Sequence, residues 1–198
     1  MWYWIFRILF LGLFKTCFTF KVEGSINLPA KNNFIIVSNH ASWMDPIILG
    51  VAINRRIHYI AMRSLYRIKW LKWFVKLLDA LPTGASSQKA IQLLNHNKNI
   101  GLFPEGGCTA DGKLRNFKRG AALLAVKTGR PVVPCAVTGS FQSFPRTARF
   151  PKLLLPIKVT IGRPIYLLKE FDEIIDDSCL QKGTFRIQNA VTEILKRG

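Results

Sequence analysis

Phe34-Ile35-Ile36-Val37-Ser38-Asn39-His40-Ala41-Ser42-Trp43-Met44-Asp45 is the stretch whose reading decides the fold. Four consecutive apolar residues without polar alternation read as a short strand covered on both faces. A histidine and an aspartate, five positions apart, follow its exit. In sheets of parallel strands, ligands meet the chain at the carboxyl ends of the strands. A neutral imidazole there can take a proton from an alcohol, and a neighbouring carboxylate can fix its tautomer and stabilise the imidazolium. Base and orienter are both present. Alone, the pair carries little weight, because one His near one Asp often arises by chance.

Outward from this strand the chain alternates. Strand-like runs occupy Ile57–Ala61, Asn99–Phe103, Pro131–Val137 and Ile157–Ile161. Helix-like stretches occupy Pro46–Ile53, Ser86–Asn95, Phe117–Thr128 and Phe185–Lys196. Ser86 and Ser87 suit a helix start, and Gly129 suits a helix stop. The alternation predicts one α/β domain over residues 21–198, with a mostly parallel central sheet flanked by helices. No repeat or linker interrupts it, and 198 residues suffice for one real core.

The chain is both basic and apolar. Its net charge is +18, yet 49% of its residues are hydrophobic and its mean hydropathy is +0.16. Residues 1–169 carry 25 Lys+Arg against five acids, whereas residues 170–198 carry four against six. A greasy cationic body suits an anionic membrane surface better than a nucleic acid. Cys17, Cys108, Cys135 and Cys179 form no CxxC pair, so free thiols are expected, with neither a disulfide framework nor a metal site.

Residues 1–20 are almost wholly apolar or aromatic, broken by Arg7 and Lys15. The early charge and small-residue cleavage site of a signal peptide are missing. The segment is barely long enough to span a bilayer, and Trp2, Tyr3 and Trp4 suit the headgroup level. It is expected to be a hydrophobic membrane-anchoring helix, monotopic or a single span, with an ordinary core helix as the alternative. A second interfacial candidate is Ser64–Leu78. There Lys69, Lys72 and Lys76 share one helical stripe, and Tyr66, Trp70, Trp73, Phe74, Leu77 and Leu78 cover much of the rest. A surface helix packed on the sheet is the competing reading.

A second polar block follows the strand at Asn99: Phe103-Pro104-Glu105-Gly106-Gly107-Cys108, then Phe117-Lys118-Arg119-Gly120. Glu105 is one of the five acids in the basic body. The glycines permit close backbone approach to a ligand. Lys118 and Arg119, at a predicted helix start, suit phosphate oxygens. A capped turn with a solvated basic pair is the plain alternative.

Taken in order, Asn39-His40-x4-Asp45, Phe103-Pro104-Glu105-Gly106, Phe117-Lys118-Arg119-Gly120 and Val132-Val133-Pro134 resemble the glycerolipid acyltransferases. Within them the likeness is to 1-acyl-glycerol-3-phosphate acyltransferase. It runs from about Val22-Glu23-Gly24 to Ile161-Gly162-Arg163-Pro164. The resemblance implies an O-acyltransferase of phospholipid synthesis, membrane-associated with its site on the cytoplasmic side. It would move an acyl chain from acyl-CoA or acyl-ACP, as co-substrate, to a lysophospholipid hydroxyl, without a cofactor. It casts His40 as general base and Asp45 as its orienter. Asn39, Glu105, Gly106, Gly107, Lys118 and Arg119 become substrate-binding residues. Two departures bear on the acceptor. Gly107-Cys108 stands where the family carries Thr-Arg, and Ala85 stands where it carries another Arg. The cations expected to compensate are Lys89, Lys113, Arg115 and Lys118. The same chemistry on another lysolipid or lipid alcohol is the alternative, and a non-catalytic basic membrane- or nucleic-acid-binding protein is the alternative of another class.

Overall fold

The computed structural model describes residues 2–61, 80–82, 86–168 and 176–197. Its chain order is α1 (Trp2–Cys17), β1 (Thr19–Glu23), a 3-10 turn, β2 (Ile35–Ser38), α2 (Asp45–Ala52), β3 (Ile57–Ala61), β4 (Leu81–Pro82) and α3 (Ser86–Asn95). Then come β5 (Asn99–Leu102), α4 (Gly120–Thr128), β6 (Val132–Thr138), α5 (Ser140–Ser143), β7 (Pro156–Ile161) and α6 (Asp177–Arg197). Among the described residues, seven strands form one sheet in the order β1-β7-β6-β2-β5-β3-β4. Every neighbouring pair is parallel except β6–β7.

That single antiparallel pair has a geometric consequence. β1 and β7 run opposite to the other five strands. Their starts therefore lie at the same end of the sheet as the carboxyl ends of β2, β5 and β6.

β2 lies at the centre, and its four residues are all buried. The alternation of side chains along a strand then assigns its neighbours to opposite layers. Phe34 and Ile36 join Ile48, Leu49, Ile57, Tyr59, Val133 and Ile157 on one face. Ile35 and Val37 join Leu94, Ile100, Leu124, Ile187 and Val191 on the other. Helices α1 and α2 thus cover one face, and α3, α4 and α6 cover the second. Gly101 shows how tightly the first layer is packed. A Cβ there would lie 2.7 Å from both Ile57 Cγ2 and the Tyr59 ring, a distance side chains do not adopt.

Among the described residues of 34–161, the predicted strands and helices are present. β1 and β4 are added to them, α4 begins at Gly120 rather than Phe117, and α6 begins at Asp177 rather than Phe185.

α1 carries two different faces. Phe14 and Phe18 are buried, and Phe14 packs its ring against Phe18 and Phe20. Arg7, which interrupts the apolar run, has a structural task. Its guanidinium donates to the Val51 carbonyl at 3.1 Å, near the C-terminus of α2, where cations are favoured. The Tyr3 hydroxyl donates to the Arg55 carbonyl at 3.2 Å. The other face leaves Trp2, Trp4, Ile5, Ile8, Leu9 and Leu13 exposed. Among the described residues no helix is long and apolar enough to cross a membrane. The amphipathic candidate Ser64–Leu78 lies outside the described residues, as does Ala85.

Candidate active site

At the exit of β2 the chain turns sharply into α2, and the turn is held by one carboxylate. Asp45 Oδ2 accepts the Ala41 amide at 2.7 Å, the Ser42 amide at 2.7 Å and His40 Nδ1 at 3.0 Å. Asp45 is fully buried, in the first turn of α2, where the helix dipole favours a negative charge. Pro46 beside it fits a first turn, because the amide it lacks would have no helical partner. Ser42 secures the far side of the turn: its hydroxyl donates to the Phe144 carbonyl at 2.6 Å and accepts the Met44 amide at 3.1 Å.

The carboxylate decides how His40 is used. With Nδ1–H given to Asp45, a neutral imidazole keeps its lone pair on Nε2. The His40 ring stacks on Phe103, centroids 4.3 Å apart, and Phe103 in turn stacks on Tyr59. Its side chain is only 14% exposed, yet it lines a cleft. That cleft measures about 320 Å³. Its walls include Ala41, Glu105, Thr109, Lys113, Thr138 and Phe141.

Glu105 joins the two sequence motifs. One of its oxygens accepts the His40 amide at 2.7 Å, and the other accepts the Arg115 amide at 2.9 Å. The Thr109 amide adds a third tie, to the His40 carbonyl at 2.9 Å. Burial pushes the Glu105 carboxyl above its ordinary range, while the amides of Arg115 and His40 pull it back. Both oxygens are thus engaged by protein, so Glu105 is placed to position His40. Asn39 is engaged in the same way. Its side-chain oxygen accepts the Val137 amide at 2.8 Å, and its nitrogen donates to the Val137 carbonyl at 2.9 Å. It locks the end of β2 to β6.

The remaining predicted residues spread outward. Gly106 has φ +78°, and a Cβ there would run into the Lys118 side chain. Glycine therefore lets Lys118 lie across the turn, whose backbone it also ties through its amide to the Pro104 carbonyl at 2.8 Å. Gly107 follows on this turn, half-buried. Arg119 is not brought to the cleft; its guanidinium pairs with Asp177 at the start of α6. Lys113 does line the cleft. The loop around it is ordered by Asp111, which accepts the Thr109 hydroxyl at 2.7 Å and the Lys113 amide at 3.1 Å.

Cys108 is buried beside the corner. Burial pushes its thiol up to about 12; the Asp45 charge adds to this and Arg146 opposes it. A thiol so placed stays protonated and is a poor nucleophile at neutral pH. Arg146 is the functional candidate that sequence reading missed. The Trp43 indole donates to its carbonyl at 3.4 Å, which brings residue 146 beside a turn 103 positions earlier. No spacing or periodicity signals such a contact.

The acyltransferase family profile matches residues 19–138, which include the whole β2 exit and the Glu105 turn. The 1-acyl-sn-glycerol-3-phosphate acyltransferase of Bacillus subtilis (strain 168) is 35% identical over 153 residues, covering 74% of this chain and 73% of that protein. The 1-acyl-sn-glycerol-3-phosphate acyltransferase alpha of Homo sapiens is 32% identical over 134 residues, covering 63% and 47%. Among solved structures, the 1-acyl-sn-glycerophosphate (LPA) acyltransferase PlsC from Thermotoga maritima superposes with a TM-score of 0.71 at 26% identity, over 95% of this chain and 80% of that one.

Proposed function

This chain belongs to the acyltransferase family, and from that premise we propose that it acylates 1-acyl-glycerol-3-phosphate at its free hydroxyl, drawing the acyl group from acyl-CoA or acyl-ACP. The observation that carries the chemistry is the His40–Asp45 pair at the rim of the cleft. His40 Nε2 takes the proton of the acceptor hydroxyl as its oxygen attacks the thioester carbonyl. The new C–O bond forms and the C–S bond breaks. The leaving thiolate recovers the proton from His40, so the enzyme ends as it began. Attack is direct, which agrees with the protonated Cys108 thiol: no acyl-enzyme is required there.

Asp45 supplies orientation and balances the imidazolium as it forms. Proton transfer by a positioned histidine is worth about 10²–10⁴-fold, or about 3–5 kcal/mol of barrier. Holding two lipids at the cleft contributes the rest through orientation. Glu105 and Asn39 serve by fixing the backbone that carries His40. For the acceptor phosphate, Lys113 on the cleft wall and Lys118 over Gly106 are the cations we assign, with Arg146, whose charge opposes the upward shift of the Cys108 thiol, as a third.

Cys108 favours a second reading of the acceptor. A buried neutral thiol stands where the resemblance expects a guanidinium, and it cannot imitate a bidentate phosphate contact. On that reading discrimination for the phosphate is weaker, and other lysolipids are acylated too. The test is a panel. Purified protein is incubated with acyl-CoA or acyl-ACP and with lysophosphatidate, its dephosphorylated counterpart or lysophosphatidylcholine, and products are read by lipid mass spectrometry. Phosphatidate formed in clear preference supports the first reading, near-equal products support the second, and no ester with any acceptor refutes both.

A further inference from the structure

The segment that leads from α5 into β7 combines two properties seldom found together: it is firmly tied down, and it is bare. Six successive residues, Arg149-Phe150-Pro151-Lys152-Leu153-Leu154, are all exposed. Phe150 is 72% exposed and Leu154 78%. Yet both stems are fixed. The buried Ser143 accepts the Lys152 amide on its carbonyl at 2.8 Å and donates its hydroxyl to the Lys152 carbonyl at 2.9 Å. The Leu154 amide donates to the Cys17 carbonyl at the end of α1 at 2.7 Å. Leu154 itself has φ +61°, a left-handed conformation that suits asparagine or glycine and strains leucine. The backbone is thus bent, against local preference, around a side chain left in the open.

We propose that Arg149–Leu154 is a membrane-inserting loop which, with the bare face of α1, seats the catalytic end of the sheet on an anionic leaflet. The topology places it there. β7 starts at the end of the sheet where β2 exits, because β7 runs against β6 and β6 runs with β2. The same holds for β1 and the C-terminus of α1. The loop chemistry matches a headgroup boundary. Phe150, Leu153 and Leu154 are apolar, Arg149 lies over the Phe150 ring with 5.6 Å to its centroid, and Lys152 adds a second cation. No carboxylate side chain occurs between Asp111 and Glu170 to oppose them. Apolar side chains interleaved with cations bind an anionic interface by insertion and by charge together. A second copy of this chain is a poor occupant, since two chains of +18 would be pressed together through cationic surfaces. The purpose of such seating rests on the proposed lipid acceptor; the binding itself does not.

The test measures partition of the full chain, carried in dilute detergent, onto phosphatidylcholine vesicles with and without phosphatidylglycerol. A combined variant, Phe150→Ser, Leu153→Ser and Leu154→Asn, is expected to lower partition by about tenfold or more. Leu154→Asn alone suits the left-handed backbone, keeps the fold, and is expected to lower partition about threefold. Arg149→Gln with Lys152→Gln is expected to lower it by about tenfold or more on anionic vesicles and little on neutral ones. Ester formation by the combined variant should fall on vesicle-borne acceptor and persist on detergent-dispersed acceptor. Partition unchanged by both apolar variants would overturn the proposal, as would a change in oligomer mass at unchanged partition. Should the wild type esterify no acceptor, the functional reading fails, while the vesicle result still decides the loop.

Discussion

The exits of β2 and β5 lie side by side and are built on opposite principles. At the β2 exit the polar groups are buried and almost all spoken for. Asp45 Oδ2 holds three partners, Asn39 is locked to Val137, and Glu105 clamps both motifs. From Ala110 to Asn116, the chain leaving β5 is largely exposed. Lys113 and Lys118 stand in solvent, and Arg119 is spent on an exposed pair with Asp177. The difference separates two tasks. On the proposed mechanism the base, His40, is already held by Asp45 and Glu105, as a group that must act within a fraction of an ångström requires. On the same proposal, recognition falls to Lys113 and Lys118, cations on long exposed side chains.

Substitutions on the two sides should fail differently. The largest effect after loss of His40 itself belongs to Asp45→Asn. It should lower kcat by about a hundredfold with KM little changed, because the amide can no longer hold both the His40 tautomer and its charge. Steady-state kinetics at saturating donor read that split. Glu105→Gln comes next. It turns one of two acceptors into a donor facing an amide, and should lower the stability to urea by about 1–3 kcal/mol and reduce kcat through the displaced His40. Urea unfolding and turnover are measured on the same preparation.

On the exposed side, Lys113→Ala should lower kcat/KM for lysophosphatidate by about tenfold and leave its dephosphorylated counterpart nearly unaffected. Equal losses on both acceptors would detach Lys113 from the phosphate. Arg119→Ala should change either activity by less than about twofold, as expected of an exposed ion pair away from the cleft. Cys108→Ala should cost no turnover.

The Cys108 thiol also makes a pH statement. Its folded value of about 12 lies above the ordinary 9.0, so the folded chain holds a proton that the unfolded chain releases. Its contribution to stability is full below pH 9 and is lost as pH rises toward 12. Alkylation mapped by mass spectrometry at pH 8 should mark the partly exposed Cys17 and Cys179 and spare Cys108.

This contrast also explains what the sequence could reveal. β2, β5 and β6 were legible because buried parallel strands read as short apolar runs, β3 and β7 because their apolar residues alternate, and the His40–Asp45 pair because its partners lie five residues apart. β1 hid inside a segment dominated by the apolar helix before it, and its burial alternates because it lies at the sheet edge. The clamp of Glu105 on His40 joins residues 65 positions apart, so the residue was identifiable but its task was not. Arg119 was plausible by neighbourhood to Lys118 and is turned away by Asp177, a partner on the last helix. Contacts of that range carry no local pattern.

The most direct test of the account is turnover by purified His40→Ala on lysophosphatidate and acyl-CoA, beside a melting curve. The account predicts an unchanged melting temperature and a kcat lower by about 10²–10⁴-fold. A folded His40→Ala protein that keeps turnover within about tenfold of wild type would contradict the assignment of His40 as the base.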